Sequence, residues 1–140
     1  MQSYQSPIYK SMETKYNEST ESRPEGGRFM DAPLVNMDLH DFIKQIKSEP
    51  TWEKNDRNAI TIYKTAGMRI VLIALHEDAV IAKHTANGVL SVQVLEGEIV
   101  FSAANQSVVL KKGQMIAVHK DEPHSVAAIK ESVFLLTLAA

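Results

Sequence analysis

Turn-forming residues divide the second half of the chain into short segments of nearly even length. The segments between them, from Ala59 to Leu138, are rich in valine and isoleucine. The turn positions are Gly67, Glu77-Asp78, Asn87-Gly88, Gly97, Asn105, Gly113 and Asp121-Glu122-Pro123. Regularly spaced short strands are typical of all-β sandwiches and barrels. We therefore expect a mainly β protein, with an antiparallel barrel from about residue 58 to 139.

One amphipathic segment precedes these strands. Its apolar residues recur at the i, i+3, i+4 and i+7 positions, and they are Leu39, Phe42, Ile43 and Ile46. This period places them on one face of a helix. Asn36 or Asp38 is a suitable N-cap, and Pro50 is expected to end the helix. The pattern predicts one short helix near residues 38–48.

Residues 1–35 form a polar N-terminal arm in this interpretation. The segment is rich in Ser, Tyr, Gln, Glu and Thr, and it contains Arg23-Pro24-Glu25-Gly26-Gly27. Such a composition buries little apolar surface by itself. The predicted domain, with its leading helix, covers residues 36–140.

Charge and composition exclude several classes of function. Fifteen basic and seventeen acidic residues give a net charge of −2, and Lys111-Lys112 is the only adjacent basic pair. A nucleic-acid partner would need a clustered basic face, so none is expected. The chain has no cysteine, which rules out disulfides and thiolate metal sites. No stretch is apolar enough for a signal sequence or a membrane span, and we expect a cytoplasmic protein without a membrane partner.

Two of the predicted strands are apolar on both faces. Residues 69–75 and 133–138 show almost no alternation of polar and apolar side chains. A half-exposed antiparallel strand should alternate, so another element must cover the outer face. The helix, the arm and a second copy of the chain are the candidates, and we expect a homodimer.

The stretch from Lys83 to Ala128 resembles the two sequence motifs of the cupin superfamily, which are small jelly-roll barrels. Val94-Leu95-Glu96-Gly97 and Pro123-His124 carry the likeness. The leading helix, His84-Thr-Ala-Asn-Gly88 and the ending Phe134-Leu-Leu-Thr137 resemble a group of short single-domain bacterial cupins of unassigned function. The likeness covers residues 37–139.

The resemblance also assigns metal-ligand positions. His84 and His124 match two of the four positions that bind metal in the family, whereas Ala86 and Leu90 occupy the other two. The resemblance implies that both histidines lie on neighbouring strands and point into the barrel. Two close imidazoles disfavour double protonation, so at least one pKa should fall below about 6.5.

Counting every second residue from the two histidines gives the expected lining of a pocket. These residues are Ala86, Leu90, Val92, Val94 and Val126, with Ala128 beyond. Gln93 should point outward. His119, His76 and His40 are conceivable third metal ligands, but nothing in the sequence places a partner beside them.

Two hypotheses about function follow. The first is a non-catalytic module that binds a small organic ligand near His84 and His124, because the lining is apolar and no nucleophile with a base is visible. The second is a metal-dependent enzyme, of oxygenase or isomerase type, with a reduced two-histidine site. Catalytic zinc sites keep three protein ligands, so we favour no cofactor, or at most a weakly bound divalent metal. We favour the first hypothesis over an enzyme.

Overall fold

The computed structural model describes residues 32–140, in which two helices precede nine strands. The helices are α1 (Leu39–Ser48) and α2 (Pro50–Lys54). The strands are β1 (Arg57–Lys64), β2 (Arg69–Leu75), β3 (Val80–His84), β4 (Val89–Glu96), β5 (Glu98–Ala103), β6 (Gln106–Lys111), β7 (Met115–Val118), β8 (His124–Ala128) and β9 (Ser132–Ala139). The expected helix followed by strands is confirmed. Residues 1–31 of the proposed arm lie outside the described residues.

The strands form two antiparallel sheets. The five-stranded sheet has the order β1-β2-β9-β4-β7, and the four-stranded sheet has the order β3-β8-β5-β6. After the β1–β2 hairpin, the chain passes from one sheet to the other at every connection except the β5–β6 hairpin. This is the jelly-roll arrangement that the strand spacing and the motifs predicted.

One hydrophobic core lies between the sheets. Every strand contributes buried side chains to it, because alternate residues along each strand point inward. In β4 the buried members are Leu90, Val92 and Val94, which are at most 2% exposed. Gln93 is half-buried on the other face, as expected.

A second apolar cluster lies on the outer face of the five-stranded sheet. Leu72 of β2 and Val133 of β9 are fully buried there, beneath Ile46 of α1 and Trp52 of α2. The helices therefore account for apolar residues on both faces of these strands. The helix was one of the three coverings that the sequence left open.

The helical segment differs from its prediction in one respect. The Asp38 side chain accepts hydrogen bonds from the backbone N–H groups of His40 and Asp41, so α1 begins as expected. It ends at Ser48, but Pro50 then starts α2. The expectation of a single helix was wrong, because proline is well suited to the first turn of a helix, where its missing N–H is not needed.

A tight turn at Gly97 joins β4 to β5 and crosses between the sheets. Gly97 has a φ of +85°, and a Cβ there would collide with the Glu131 carbonyl oxygen and the Ser132 hydroxyl. The buried Ser132 hydroxyl accepts a hydrogen bond from the Glu98 N–H at 2.9 Å and donates one to the Lys130 carbonyl at 2.7 Å. The turn therefore packs against the start of β9.

Candidate functional site

The two histidines singled out in the sequence lie directly opposite each other on β3 and β8. Their Cα atoms are register partners, and the ring centroids are 4.4 Å apart. A register irregularity between Ile81 and His84 gives β3 one residue more than β8 over the same span. This bulge turns both Ile81 and His84 inward, although they are three residues apart.

Backbone carbonyls fix the proton positions on both rings. His84 Nδ1 lies 2.8 Å from the Ala82 carbonyl oxygen, and His124 Nδ1 lies 3.0 Å from the Glu122 carbonyl oxygen. A carbonyl oxygen only accepts, so each Nδ1 carries the proton and donates it. In a neutral imidazole the Nε2 atom is then the hydrogen-bond acceptor. The Nε2 atom of His124 consequently offers a lone pair to a bound group.

Burial keeps both imidazoles neutral. Desolvation by burial, with a smaller contribution from the nearby His124, lowers the pKa of His84 to about 4, against the raising effect of the hydrogen bond to the Ala82 carbonyl. Burial also lowers the pKa of His124, while Glu122 opposes this through its backbone carbonyl and its carboxylate. The expected lowering of a histidine pKa is present, and desolvation contributes more to it than the repulsion between the rings on which the expectation was based.

One ring nitrogen is buried without a partner. His124 is 3% exposed, and its Nε2 atom has no hydrogen-bond partner among the described residues. Leaving a buried polar atom unsatisfied costs about 1–3 kcal/mol. A buried polar atom of this kind requires a partner such as a water molecule, an ion or a polar group of a ligand.

The side chains that were expected to line a pocket are all buried in the core between the sheets. Ala86, Leu90, Val92, Val94 and Val126 are at most 4% exposed, and all five belong to the core between the sheets. Their inward orientation agrees with the counting of alternate residues. Whether they touch a ligand stays a prediction.

Phe101 of β5 is a site residue that the sequence analysis missed. Its ring stacks on the His124 ring, with the centroids 5.6 Å apart and the planes inclined by 12°. Ala103, two residues further along β5, is the register partner of His124. Counting alternate residues along β5 from Ile99 would have placed both side chains inside.

An open pocket of about 250 Å³ adjoins the histidine pair. Its wall is mostly apolar and contains none of the seven residues predicted for the site. The lining residues are Phe101, Ala103, Ala104, Gln106, Val108, Ile116, Ala117, Val118, His119 and Glu122. The pocket therefore meets the histidine pair at Phe101, Ala103 and Glu122.

The remaining histidines do not join the pair. His119 and His40 are exposed, as expected. His76 stacks on Trp52 at a centroid distance of 3.5 Å, and its Nε2 lies 2.8 Å from the Trp52 carbonyl oxygen. Its role is to hold α2 against the loop after β2.

The described residues do not provide a complete metal site. Within residues 32–140, no three His, Cys, Asp or Glu side chains converge in a way that could hold an ion. His84 and His124 supply two nitrogen donors, whereas catalytic zinc sites keep three protein ligands. The two rings do share one feature with metal-binding histidines, since each donates its other N–H to a carbonyl.

Comparisons with known proteins identify the fold. No protein-family model matches the chain, and no curated protein is similar to it in sequence. A cupin superfamily protein from Desulfitobacterium hafniense DCB-2 is similar in structure, with a TM-score of 0.59 and 16% identity over 61% of this chain and 78% of that chain. A protein of unknown function from Streptococcus pyogenes has the same TM-score at 19% identity, over 79% of this chain and 90% of that chain.

A larger enzyme is similar over more of the chain. Salicylate 1,2-dioxygenase from Pseudoaminobacter salicylatoxidans, solved as adducts with gentisate, has a TM-score of 0.69 at 17% identity. The match covers 90% of this chain but 39% of the dioxygenase. At these identities the likeness concerns the fold.

The chain has the cupin fold, as the motifs around His84 and His124 predicted. It is a jelly-roll of the cupin type with a helical layer over one sheet. None of its described helices is both long enough and apolar enough to span a bilayer.

Proposed function

We propose that the protein is a non-catalytic binding module that holds a small organic ligand beside His84 and His124. The unpartnered, buried Nε2 atom of His124 carries this proposal. The ligand would satisfy it with a hydroxyl or N–H donor.

The tautomers refine the kind of ligand. The Nδ1 proton of each ring is held by a backbone carbonyl, so the neutral His124 ring presents an acceptor rather than a donor at Nε2. A carboxylate or carbonyl group of a ligand would need this imidazole to be protonated. Because burial lowers both pKa values, a donor-bearing ligand is the better match.

Ligand-induced stabilisation tests this proposal. A panel of small neutral alcohols and phenols is added to the wild type and to the His124→Phe and His40→Gln variants, and thermal unfolding is followed. A ligand at 100 times its Kd stabilises the folded state by about 2.7 kcal/mol. Compounds that bind beside His124 should raise the Tm of the wild type and of His40→Gln, in which an exposed ring outside the pocket lining is changed, but not that of His124→Phe. Equal stabilisation of all three proteins, or of none, would contradict the proposal.

A metal-dependent enzyme is the second candidate, and the carbonyl-bound Nδ1 atoms favour it. Elemental analysis of protein purified without a tag or chelator separates the two. Near one transition-metal ion per chain, lost in His84→Ala, would support the enzyme of oxygenase or isomerase type. The binding module should contain far less metal than one ion per chain.

We also propose that the chain forms a homodimer. Part of the apolar surface around the helices remains half-buried, and this supports the proposal. It comprises Met37, Leu39, Phe42, Ile43, Ile70, Leu95 and Leu135. The cytoplasmic location stays a prediction.

A further inference from the structure

The open pocket beside His124 is mostly apolar and is large enough to hold one six-membered ring of a ligand. It measures about 250 Å³, and an apolar cavity of about 150 Å³ already binds benzene. Phe101 and Val118 are its buried wall, and Ile116 and Ala103 are half-buried. Gln106 and His119, which are exposed, lie at its mouth.

Phe101 separates this pocket from His124. The phenyl ring stacks on the imidazole and also lines the pocket. Ala103, the register partner of His124, has too small a side chain to complete the wall by itself. Phe101 is therefore the larger of the two β5 side chains that lie between the imidazole and the pocket.

The charges around the pocket select against anions. The Glu122 residue lines the pocket, and its carboxylate acts electrostatically on His124. The neutral His124 ring presents an acceptor at Nε2. An organic anion would meet the Glu122 carboxylate and find no donor at His124 Nε2, and burying an unpaired charge against an apolar wall is costly.

We infer that the ligand is an uncharged single-ring compound with a hydroxyl group, that its ring occupies the pocket, and that Phe101 controls the access of the hydroxyl to His124 Nε2. This inference rests on the proposed binding function, and it adds the ligand class, the entry route and a specificity-determining residue.

The test uses three probes of similar size, which are phenol, toluene and benzoate. Protein labelled with ¹⁵N-histidine and with methyl groups of Ile and Val reports on both compartments by NMR. Phenol should shift the methyl signals of Ile116 and Val118 and also the unprotonated Nε2 signal of His124. Toluene should shift the methyl signals alone, and benzoate neither.

Substitutions at Phe101 test whether its side chain controls the access of the ligand hydroxyl to His124 Nε2. In Phe101→Trp the larger ring should abolish the phenol-induced shift of His124 Nε2 while the methyl shifts persist. In Phe101→Leu, which keeps an apolar core residue, the Nε2 shift should persist and saturate at an equal or lower phenol concentration. Val109→Ala, one residue further along β6 and outside the pocket lining, is the matched control and should keep the Nε2 shift.

The outcomes separate this inference from the proposed function. An Nε2 shift of the same size in the wild type and Phe101→Trp would overturn the role of Phe101, while binding at the histidines would stand. Shifts by benzoate equal to those by phenol would overturn the ligand class. If phenol moves no histidine signal even in Phe101→Leu, both this inference and the proposed function are wrong.

Discussion

The buried, neutral imidazole of His84 makes the stability of the folded protein depend on pH. Its ring is buried and neutral, with a pKa lowered to about 4 by desolvation. The unfolded chain, in which histidine titrates near pH 6.5, takes up a proton more readily. Protonation therefore favours the unfolded state, and neutral His84 contributes its full share of stability only above about pH 6.5.

The free energy of unfolding should accordingly fall as the pH is lowered from about 6.5 to about 4, by up to about 3 kcal/mol from this group. His84→Gln removes this titrating group. The difference in unfolding free energy between wild type and variant should therefore shrink as the pH is lowered from about 6.5 to about 4. Urea unfolding at several pH values measures it. Val109→Ala, which changes an exposed side chain without a titratable group, should run parallel to the wild-type curve. Parallel curves for the wild type and His84→Gln would contradict the prediction.

Gly97 and Gly113 have the same backbone conformation but different surroundings, so substitutions at the two positions separate backbone strain from steric collision. Both have positive φ angles, of +85° and +87°. A Cβ at Gly97 would also collide with the Glu131 carbonyl and the Ser132 hydroxyl, whereas a Cβ at Gly113 meets nothing within 4 Å. Gly113→Ala should cost about 1 kcal/mol from strain alone, and Gly97→Ala about 3 kcal/mol or more. Chemical denaturation measures both, and equal costs would show that the turn after β4 relaxes freely.

Among the elements, the helical layer is held to the sheet by a buried polar residue. Asn58 of β1 is fully buried, and its Nδ2 donates to the Ile46 carbonyl at 3.0 Å and to Glu49 Oε1 at 2.9 Å. Its Oδ1 accepts from the Ala59 N–H. One amide thus connects the end of α1, the start of α2 and the first strand.

Asn58→Ala should destabilise the protein by about 2 kcal/mol, because it leaves a buried carbonyl without this partner. Asn55→Ala is the matched control, since the exposed Asn55 amide makes one hydrogen bond to the Thr51 carbonyl. Its cost should stay below about 1 kcal/mol. Denaturant unfolding compares the two variants. Similar costs would mean that water replaces Asn58 at the helix junction.

At the scale of the whole molecule, several apolar side chains are left half-buried or exposed. The helices cover Leu72 and Val133 completely, but Ile70 at the margin of this layer is half-buried. The outer face of the four-stranded sheet also exposes Val109. The proposed dimer would cover the helical side, where the half-buried side chains are contiguous with a packed cluster.

Sedimentation of the full chain at micromolar concentration should therefore give twice the mass of 15.6 kDa. Ile70→Arg should shift the equilibrium towards monomer, and Val109→Arg should not. The opposite pattern would move the interface to the four-stranded sheet. A monomeric wild type would exclude the dimer at that concentration and leave the helices as the outer layer.

Local signals in the amino-acid sequence were sufficient to predict the fold class and the two principal histidines. Turn residues and alternating apolar residues are local signals, so they predicted the strands, and the motif spacing identified His84 and His124. The start of α1 was also predictable, because Asp38 acts within one turn of the helix.

How the strands and side chains of the site meet depends on long-range packing, which local sequence signals do not contain. The bulge in β3 directs His84 inward, and the register of β5 with β8 places Phe101 and Ala103 against His124. Burial then lowers the histidine pKa values and leaves one Nε2 without a partner among the described residues. These properties depend on contacts between residues far apart in the chain, and neither composition nor period contains that information.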